Sequence, residues 1–171
     1  MKVFIISDSH DNWKNLDTAL SIATQLDVDI ILHAGDFVSP PGLTLFEKIK
    51  KPVHIVWGNN EGEKQGFLKR IENIPQITHH NFTMKENFDG LNFFMNHYPE
   101  KAKEAGKSGK YDVCVYGHTH LFESEVLKND TIILNPGEIA GSRTGVATAL
   151  LFDTDTKISE KIIIAREQFT V

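Results

Sequence analysis

The sequence is poor in features that several common classes of protein need. It contains one cysteine, Cys114, so no disulfide can form within the chain. That scarcity, together with the lack of a signal-peptide pattern in the first residues, leads us to expect a cytoplasmic protein. No apolar run is long enough to span a bilayer, and we therefore expect no membrane partner. The chain also has no Gly-x-Ser-x-Gly elbow and no P-loop lysine, which argues against a serine hydrolase and against a nucleotide-triphosphate motor.

A basic surface patch is missing as well. The 171 residues carry a formal net charge of -5, and the lysines are scattered among acidic residues. Proteins that bind nucleic acid through its phosphates usually concentrate lysine and arginine on one face. A nucleic-acid polymer is therefore disfavoured as a partner, whereas a small anionic substrate is compatible with the sequence. The composition does not decide between a monomer and a homo-oligomer.

Apolar runs and helical segments alternate over the first two-thirds of the chain. The predicted strands there are 2–6, 28–33 and 52–57, and the predicted helices are 13–26, 37–50 and 63–71. Such alternation favours parallel strands joined by right-handed crossovers. The later part is predicted to contain a surface helix, a buried run and three hairpins that turn near Asp89-Gly90, Asn129-Asp130 and Asp153–Thr156. The sequence therefore predicts an α/β fold in one domain, residues 1–171, with mixed sheets covered by helices.

Polar clusters follow five of the apolar runs. The clusters are Asp8-Ser9-His10, His33-Ala34-Gly35-Asp36, Gly58-Asn59-Asn60-Glu61, Asn96-His97 and Gly117-His118-Thr119-His120. Ligand sites in open α/β sheets form outside the carboxyl ends of the strands, so these clusters are expected to meet at one edge. Their donors are imidazole nitrogens and carboxylate or amide oxygens without thiolate, which suits manganese, iron, zinc, nickel or cobalt. Because the donors are too many for one ion, the pattern predicts two divalent metal ions per chain.

Each cluster also has a simpler structural interpretation. A helix N-cap accounts for Asp11 or Asn12 as well as metal binding does, and an isolated histidine such as His97 is more often a core residue than a ligand. We interpret His33 as a core histidine, although a supporting role beside the site is the alternative. The remaining histidines, His54, His79 and His80, fit no ligand pattern. It is the recurrence at five successive strand ends that favours a metal site.

The order of these motifs resembles that of the calcineurin-like metallophosphoesterases, and the chain length is most similar to their small prokaryotic phosphodiesterase branch. The resemblance spans residues 8 to about 120, and Asn135-Pro136-Gly137-Glu138 resembles a turn that often follows. It implies a four-layer α/β/β/α sandwich of two mixed sheets. It implies that the first ion is held by Asp8, His10 and His120. It implies that the second ion is held by Asn59, His97 and His118, with Asp36 as a bridge.

The resemblance implies hydrolysis of a small phosphodiester, with manganese as the favoured metal. Two divalent ions can lower the pKa of a bridging water towards about 7, so that hydroxide attacks phosphorus in line at neutral pH. One position departs from the family pattern, because Asn60 stands where most members have a histidine that assists the leaving group. Asn60 is therefore expected on the substrate side of the site, but it has no proton to give at neutral pH.

Two other functions remain open at this point. A retromer subunit resembles these phosphodiesterases and serves as a scaffold, so a catalytically silent binding protein is the main alternative. Such a protein would be expected to have lost a metal ligand, whereas this chain retains all seven. The second alternative is a phosphomonoesterase or another hydrolase that uses a single metal ion.

Overall fold

The computed structural model describes residues 1–166, and the predicted domain 1–171 includes five further residues that lie outside this range. The strands are β1 (Lys2–Ile6), β2 (Ile30–His33), β3 (Val53–Ile55), β4 (Ile77–His79), β5 (Thr83–Phe88), β6 (Leu91–Asn96), β7 (Val113–Val115), β8 (Phe122–Val126), β9 (Ile132–Pro136), β10 (Val146–Asp153) and β11 (Ile158–Arg166). The helices are α1 (Trp13–Gln25), a 3-10 helix (Pro40–Lys48), α2 (Lys64–Ile71) and α3 (Pro99–Lys107). None of these helices is long and apolar enough to cross a membrane.

The strands form two mixed sheets. The first has the order β11-β10-β1-β2-β3-β4, with β1 to β4 parallel and the two remaining strands antiparallel. The second has the order β5-β6-β7-β9-β8, in which the three central strands are parallel and both edge strands are antiparallel. The loops that leave β1, β2 and β3 therefore start at one edge of the first sheet.

Three apolar interfaces hold four layers together. Side chains of β1 alternate, so that Phe4 and Ile6 pack under α1 and the 3-10 helix, whereas Val3 and Ile5 pack against the second sheet. The interface between the second sheet and α3 is smaller, and its buried members are Phe94, Ala102, Cys114, Tyr116 and Ile133. The predicted α/β/β/α sandwich of two mixed sheets is thereby confirmed.

Two local predictions differ from the structure. The segment predicted as a helix over 37–50 forms a 3-10 helix over Pro40–Lys48. Two prolines and Gly42 open this segment, and they weaken the hydrogen-bond pattern that an α-helix needs in its first turns. The short strand β4 was not predicted, since its three residues are too few to show a period. The hairpin turn at Asp89-Gly90 is confirmed by the pairing of Phe88 with Leu91.

Candidate metal centre

The predicted ligands of the first ion converge at the end of β1. The Nε2 atom of His120 lies 3.4 Å from Asp8 Oδ1, and the Nε2 atom of His10 lies 3.8 Å from the same oxygen. Asp8 Oδ1 and His10 Nε2 are buried and have no hydrogen-bond partner among the described residues. Buried polar atoms are almost always paired, so two such atoms that face each other fit a site for a cation.

The predicted ligands of the second ion converge beside them. Asn59 Oδ1 lies 3.0 Å from His97 Nε2 and 2.8 Å from His118 Nδ1. Asp36 lies between the two groups, with one oxygen 3.4 Å from His10 Nε2 and the other 3.5 Å from His97 Nε2. The structure thus brings together all seven side chains that the sequence singled out.

Both groups draw side chains from both sheets. The first sheet contributes four residues through the loops that follow β1, β2 and β3, namely Asp8, His10, Asp36 and Asn59. The second sheet contributes three through the loops that follow β6 and β7, namely His97, His118 and His120. The centre therefore lies in the cleft between the two sheets, at the edge where the parallel strands end.

Tight backbone turns aim these side chains. Five of the seven residues have a positive φ between 42° and 65°, namely Asp8, His10, Asp36, His118 and His120. Non-glycine residues rarely adopt this conformation, and such strain concentrates at functional sites. The motif glycines allow the close approach, because a Cβ atom at Gly58 would overlap the Asp36 carboxylate and one at Gly117 would overlap Ser7.

The two carboxylates of the centre differ in acidity. Burial raises the pKa of Asp8 to about 7 in the metal-free protein, although its contacts with Ser7 and His120 oppose the rise. Burial also disfavours the ionised form of Asp36, but the neighbouring His97 and two hydrogen bonds from Asn60 outweigh it and lower that pKa. Asp36 is therefore ionised over a wider range of pH than Asp8.

Two histidines of the centre, His10 and His97, favour their uncharged form. Burial lowers the pKa of both His10 and His97, and their contacts with Asp36 reverse this effect only in part. An uncharged imidazole has a free lone pair on one ring nitrogen, which is the form that binds a metal ion.

Asn60 lies next to Asp36. Its backbone N–H donates to Asp36 Oδ1 at 2.8 Å, and its side-chain amide donates to Asp36 Oδ2 at 2.7 Å. The residue is exposed at the open side of the centre, which is compatible with the predicted position near the substrate. Its side chain holds the carboxylate that faces both groups of donors.

The carboxylate of Glu61 supports the backbone around the centre. It accepts hydrogen bonds from the backbone N–H groups of Phe37, Val38 and Gly58 at 2.9 to 3.2 Å. Glu61 thereby joins the loop after β2 to the loop after β3.

Sequence reasoning missed Glu138. This residue is fully buried, and its Oε2 lies 2.7 Å from His120 Nδ1. Burial disfavours its charge, but hydrogen bonds from His120 and Thr144 lower its pKa overall. The available signal was the acidic residue directly after Asn135-Pro136-Gly137, which we interpreted only as part of a turn.

The other candidate residues lie outside the centre. Asn12 caps α1 by accepting from the backbone N–H of Asn15 at 3.2 Å, as the structural interpretation predicted. His33 is fully buried, pairs with Ser9 at 3.1 Å and has a pKa lowered by burial to about 3, which agrees with a core histidine. His54 and His80 pair with each other at 2.7 Å.

Comparison with known families identifies the protein class. Residues 1–157 match the model of the calcineurin-like phosphoesterase superfamily domain. The chain belongs to this superfamily. Calcineurin-like phosphoesterases use divalent metal ions, so the predicted class and its general need for metal are confirmed.

Two curated relatives of this phosphoesterase are similar over most of their length. Phosphodiesterase MJ0936 from Methanocaldococcus jannaschii is 35% identical over 168 residues, which cover 96% of this chain and 99% of that protein. The probable metallophosphoesterase YsnB from Bacillus subtilis is 30% identical over 144 residues, which cover 81% of this chain and 75% of that protein.

Solved structures agree with this placement. A structure described as a novel archaeal phosphodiesterase superimposes with a TM-score of 0.89 at 34% identity and covers 95% of this chain and 99% of that one. A Vps29 structure from Entamoeba histolytica gives a TM-score of 0.68 at 16% identity and covers 95% of this chain and 99% of that one. The second match shows the fold alone, so the scaffold alternative has weaker support than the enzyme.

Proposed function

We propose that this phosphoesterase hydrolyses a small phosphodiester with two divalent metal ions bound in the cleft between its sheets, and that manganese is the favoured metal. Asp8, His10 and His120 would hold the first ion, and Asn59, His97 and His118 the second, with Asp36 shared by both. When bound, such ions supply an activated water at neutral pH and stabilise negative charge on the phosphoryl oxygens. Small phosphodiesters are proposed because the relative that is similar over nearly its whole length bears the name phosphodiesterase.

The observation that carries the proposal is that two buried atoms, Asp8 Oδ1 and His10 Nε2, have no hydrogen-bond partner within residues 1–166. These atoms are 3.8 Å apart. Leaving a buried carboxylate oxygen and a buried imidazole nitrogen unpaired lowers the stability of the protein, and a bound metal ion would remove that cost. Asp36 offers a separate carboxylate oxygen to each group of donors, which supports two ions rather than one.

The charges of the donor set fit an anionic substrate. Among the seven side chains only Asp8 and Asp36 carry negative charge, because the histidines and Asn59 are neutral ligands. Two divalent ions would therefore leave net positive charge in the cleft, which attracts a phosphodiester anion. The substrate would enter beside Asn59 and Asn60, which are the exposed members of the site.

The remaining residues would hold this arrangement in place. Asn60 fixes both oxygens of Asp36, and Glu61 fixes the loops that present Asp36 and Asn59. Tyr98 packs against the histidines of the second group, with its ring centroid 5.3 Å from that of His97 and 5.1 Å from that of His118. A rigid donor set reduces the reorganisation that the reaction would otherwise require.

The test is a reconstitution of metal-stripped protein with Mn²⁺, followed by calorimetry and by hydrolysis of bis(4-nitrophenyl) phosphate and 4-nitrophenyl phosphate. We expect two ions per chain, activity that returns with the second ion, and faster cleavage of the diester. Full activity with one ion would favour the single-metal alternative. Two bound ions without hydrolysis of either ester would favour the scaffold.

A further inference from the structure

Glu138 binds a loop with one carboxylate oxygen and a histidine with the other. Its Oε1 accepts hydrogen bonds from Arg143 N at 3.0 Å, Thr144 N at 2.6 Å and Thr144 Oγ1 at 2.9 Å. Its Oε2 lies 2.7 Å from His120 Nδ1, and the side chain is fully buried. The three loop donors fix the orientation of the carboxylate, so that Oε2 can only accept from His120.

This contact determines which nitrogen of His120 carries hydrogen. An ionised carboxylate has no hydrogen to donate, so the Nδ1 atom of His120 must be the protonated one. In the uncharged form that binds a metal ion, the lone pair of the ring then lies on Nε2, which faces Asp8 Oδ1 at 3.4 Å. A carboxylate behind a metal-binding histidine orients the ring and makes its free nitrogen a stronger donor.

The histidines of the second group have weaker support. The Nδ1 atom of His97 pairs with the backbone carbonyl of Ala34 at 2.8 Å, which carries only a partial charge. His118 faces Asn59 through Nδ1, and within residues 1–166 no carboxylate hydrogen-bonds to its ring. The two groups are therefore unequal, although both contain imidazole ligands.

We propose that Glu138 is a positioning residue that makes the first metal position the tighter one, so that it fills before the second. This inference rests on the proposed two-metal function. Glu138 touches neither the ion nor the substrate, and it acts only through His120.

The test compares Glu138→Gln with Thr144→Val. A glutamine can keep its carbonyl oxygen towards the loop only by turning its NH₂ group towards His120. That ring would then have to accept at Nδ1 and carry its hydrogen on Nε2, the atom that must be bare for metal binding. The valine variant removes one hydrogen bond to Oε1 but leaves the carboxylate facing His120, so it controls for loss of loop stability.

The first readout is a calorimetric titration of metal-stripped protein with Mn²⁺. We expect two distinguishable steps in the wild type. In Glu138→Gln the tighter step should weaken by about 10- to 100-fold, as is usual for the loss of such a supporting group. The affinity of the weaker step should change by less than about twofold in Glu138→Gln. In Thr144→Val the affinities of both steps should change by less than about twofold.

The second readout requires no ion. Correlation spectra of the ¹⁵N-labelled imidazoles in metal-free protein should show the Nδ1–H form of His120 in the wild type and in Thr144→Val, and the Nε2–H form in Glu138→Gln. An unchanged form in Glu138→Gln overturns the positioning role. The role is also overturned if Glu138→Gln binds the tighter ion with wild-type affinity, or if both variants lose the same amount of affinity for that ion.

Failure of the inference can be told apart from failure of the proposed function. If the wild type binds no Mn²⁺, the proposed function and the order of filling both fall. If the wild type binds two ions and Glu138→Gln binds them with the same affinities, only the role of Glu138 is contradicted.

Discussion

The donors proposed for the two ions differ in how deeply they are buried and in the hydrogen bonds that hold their histidines. In the first group Asp8 and His120 are buried, and Glu138 lies behind the histidine. In the second group His97 is buried, whereas Asn59 is exposed and His118 is partly exposed. Although His10 is partly exposed, the first position is therefore the more buried one, while the second forms part of the surface that would meet a substrate. This difference predicts that substitutions will separate binding of the two ions.

The largest effect is expected for Asp36→Asn, because Asp36 offers a separate carboxylate oxygen to each of the two groups. The amide removes a negative charge and one oxygen ligand, so both ions should bind at least about 100-fold more weakly, beyond the usual effect of a supporting group. Calorimetry and hydrolysis rates would measure this. Asp17→Asn is the matched control for the loss of one carboxylate. Asp17 lies on α1, where its exposed side chain pairs with Lys48. Normal metal content in Asp36→Asn would contradict the shared role of this residue.

A more selective effect is expected for Asn59→Ala. Asn59 Oδ1 contacts both histidines of the second group and neither histidine of the first. Because one ligand is lost, the second ion should bind at least about 10-fold more weakly, the least that the loss of even a supporting group costs, while the first should be unaffected. A titration followed by Mn²⁺ electron paramagnetic resonance can distinguish one bound ion from a coupled pair. Equal weakening of both steps would remove the distinction between the two positions.

The pH dependence of metal binding should be strongest at the first position. Asp8 faces His120 and Asp36, and its pKa of about 7 means that a proton competes with the first ion below neutral pH. The affinity of the tighter step should therefore fall as the pH decreases from 8 to 6. Asp36, with its lowered pKa, should contribute little over that range. Calorimetry at several pH values measures this, and a pH-independent first step would contradict it.

The same shift makes a prediction about stability without metal. Because the pKa of Asp8 is higher in the folded chain than in the unfolded one, its contribution to stability is present at low pH and is lost as the pH rises from about 4 to 7. Asp8→Asn should therefore raise the free energy of unfolding of metal-free protein at pH 8 by about 2 to 4 kcal/mol. The gain should vanish near pH 4, and urea titrations at both pH values would show whether it does.

The smallest effect is expected for Asn60→His. A histidine there can donate a proton to a poor leaving group, and general acid catalysis typically contributes about 10²–10⁴-fold. The net gain should be much smaller, because the substitution also removes the hydrogen bond from the Asn60 side chain to Asp36 Oδ2. Rates over a series of substituted phenyl diesters should depend less on leaving-group pKa in this variant. Asn60→Ala is the control that loses the hydrogen bond alone, and equal slopes in the two variants would contradict the prediction.

The sequence was sufficient to find the five polar clusters because each follows an apolar run, whereas the choice of seven ligands within them came from the family resemblance. The position of a residue after a strand is a local property, and parallel strands bring such positions to one edge of a sheet. The four-layer fold required the family resemblance, since alternation of strands and helices does not reveal how two sheets stack.

Contacts between side chains distant in the sequence could not be predicted in this way. Glu138 and His120 are 18 residues apart, and no periodic pattern relates the end of β9 to the loop after β7. The hydrogen bonds from Asn60 to Asp36 were not predicted either, because the family resemblance defined position 60 only by the histidine that it lacks. The 3-10 helix was missed because its residues show apolar spacing that an α-helix would also show.

The position of the centre between the sheets means that each ion would act as a cross-link as well as a cofactor. An ion that binds only the folded chain adds about 2.7 kcal/mol to its stability at 100 times the dissociation constant. In metal-free protein, the contact of His97 with the Ala34 carbonyl is one of the bonds that join the sheets at this edge. Amide hydrogen exchange should therefore be fastest there without metal, in the loops after β1 and β7, and should slow in two stages as the ions bind.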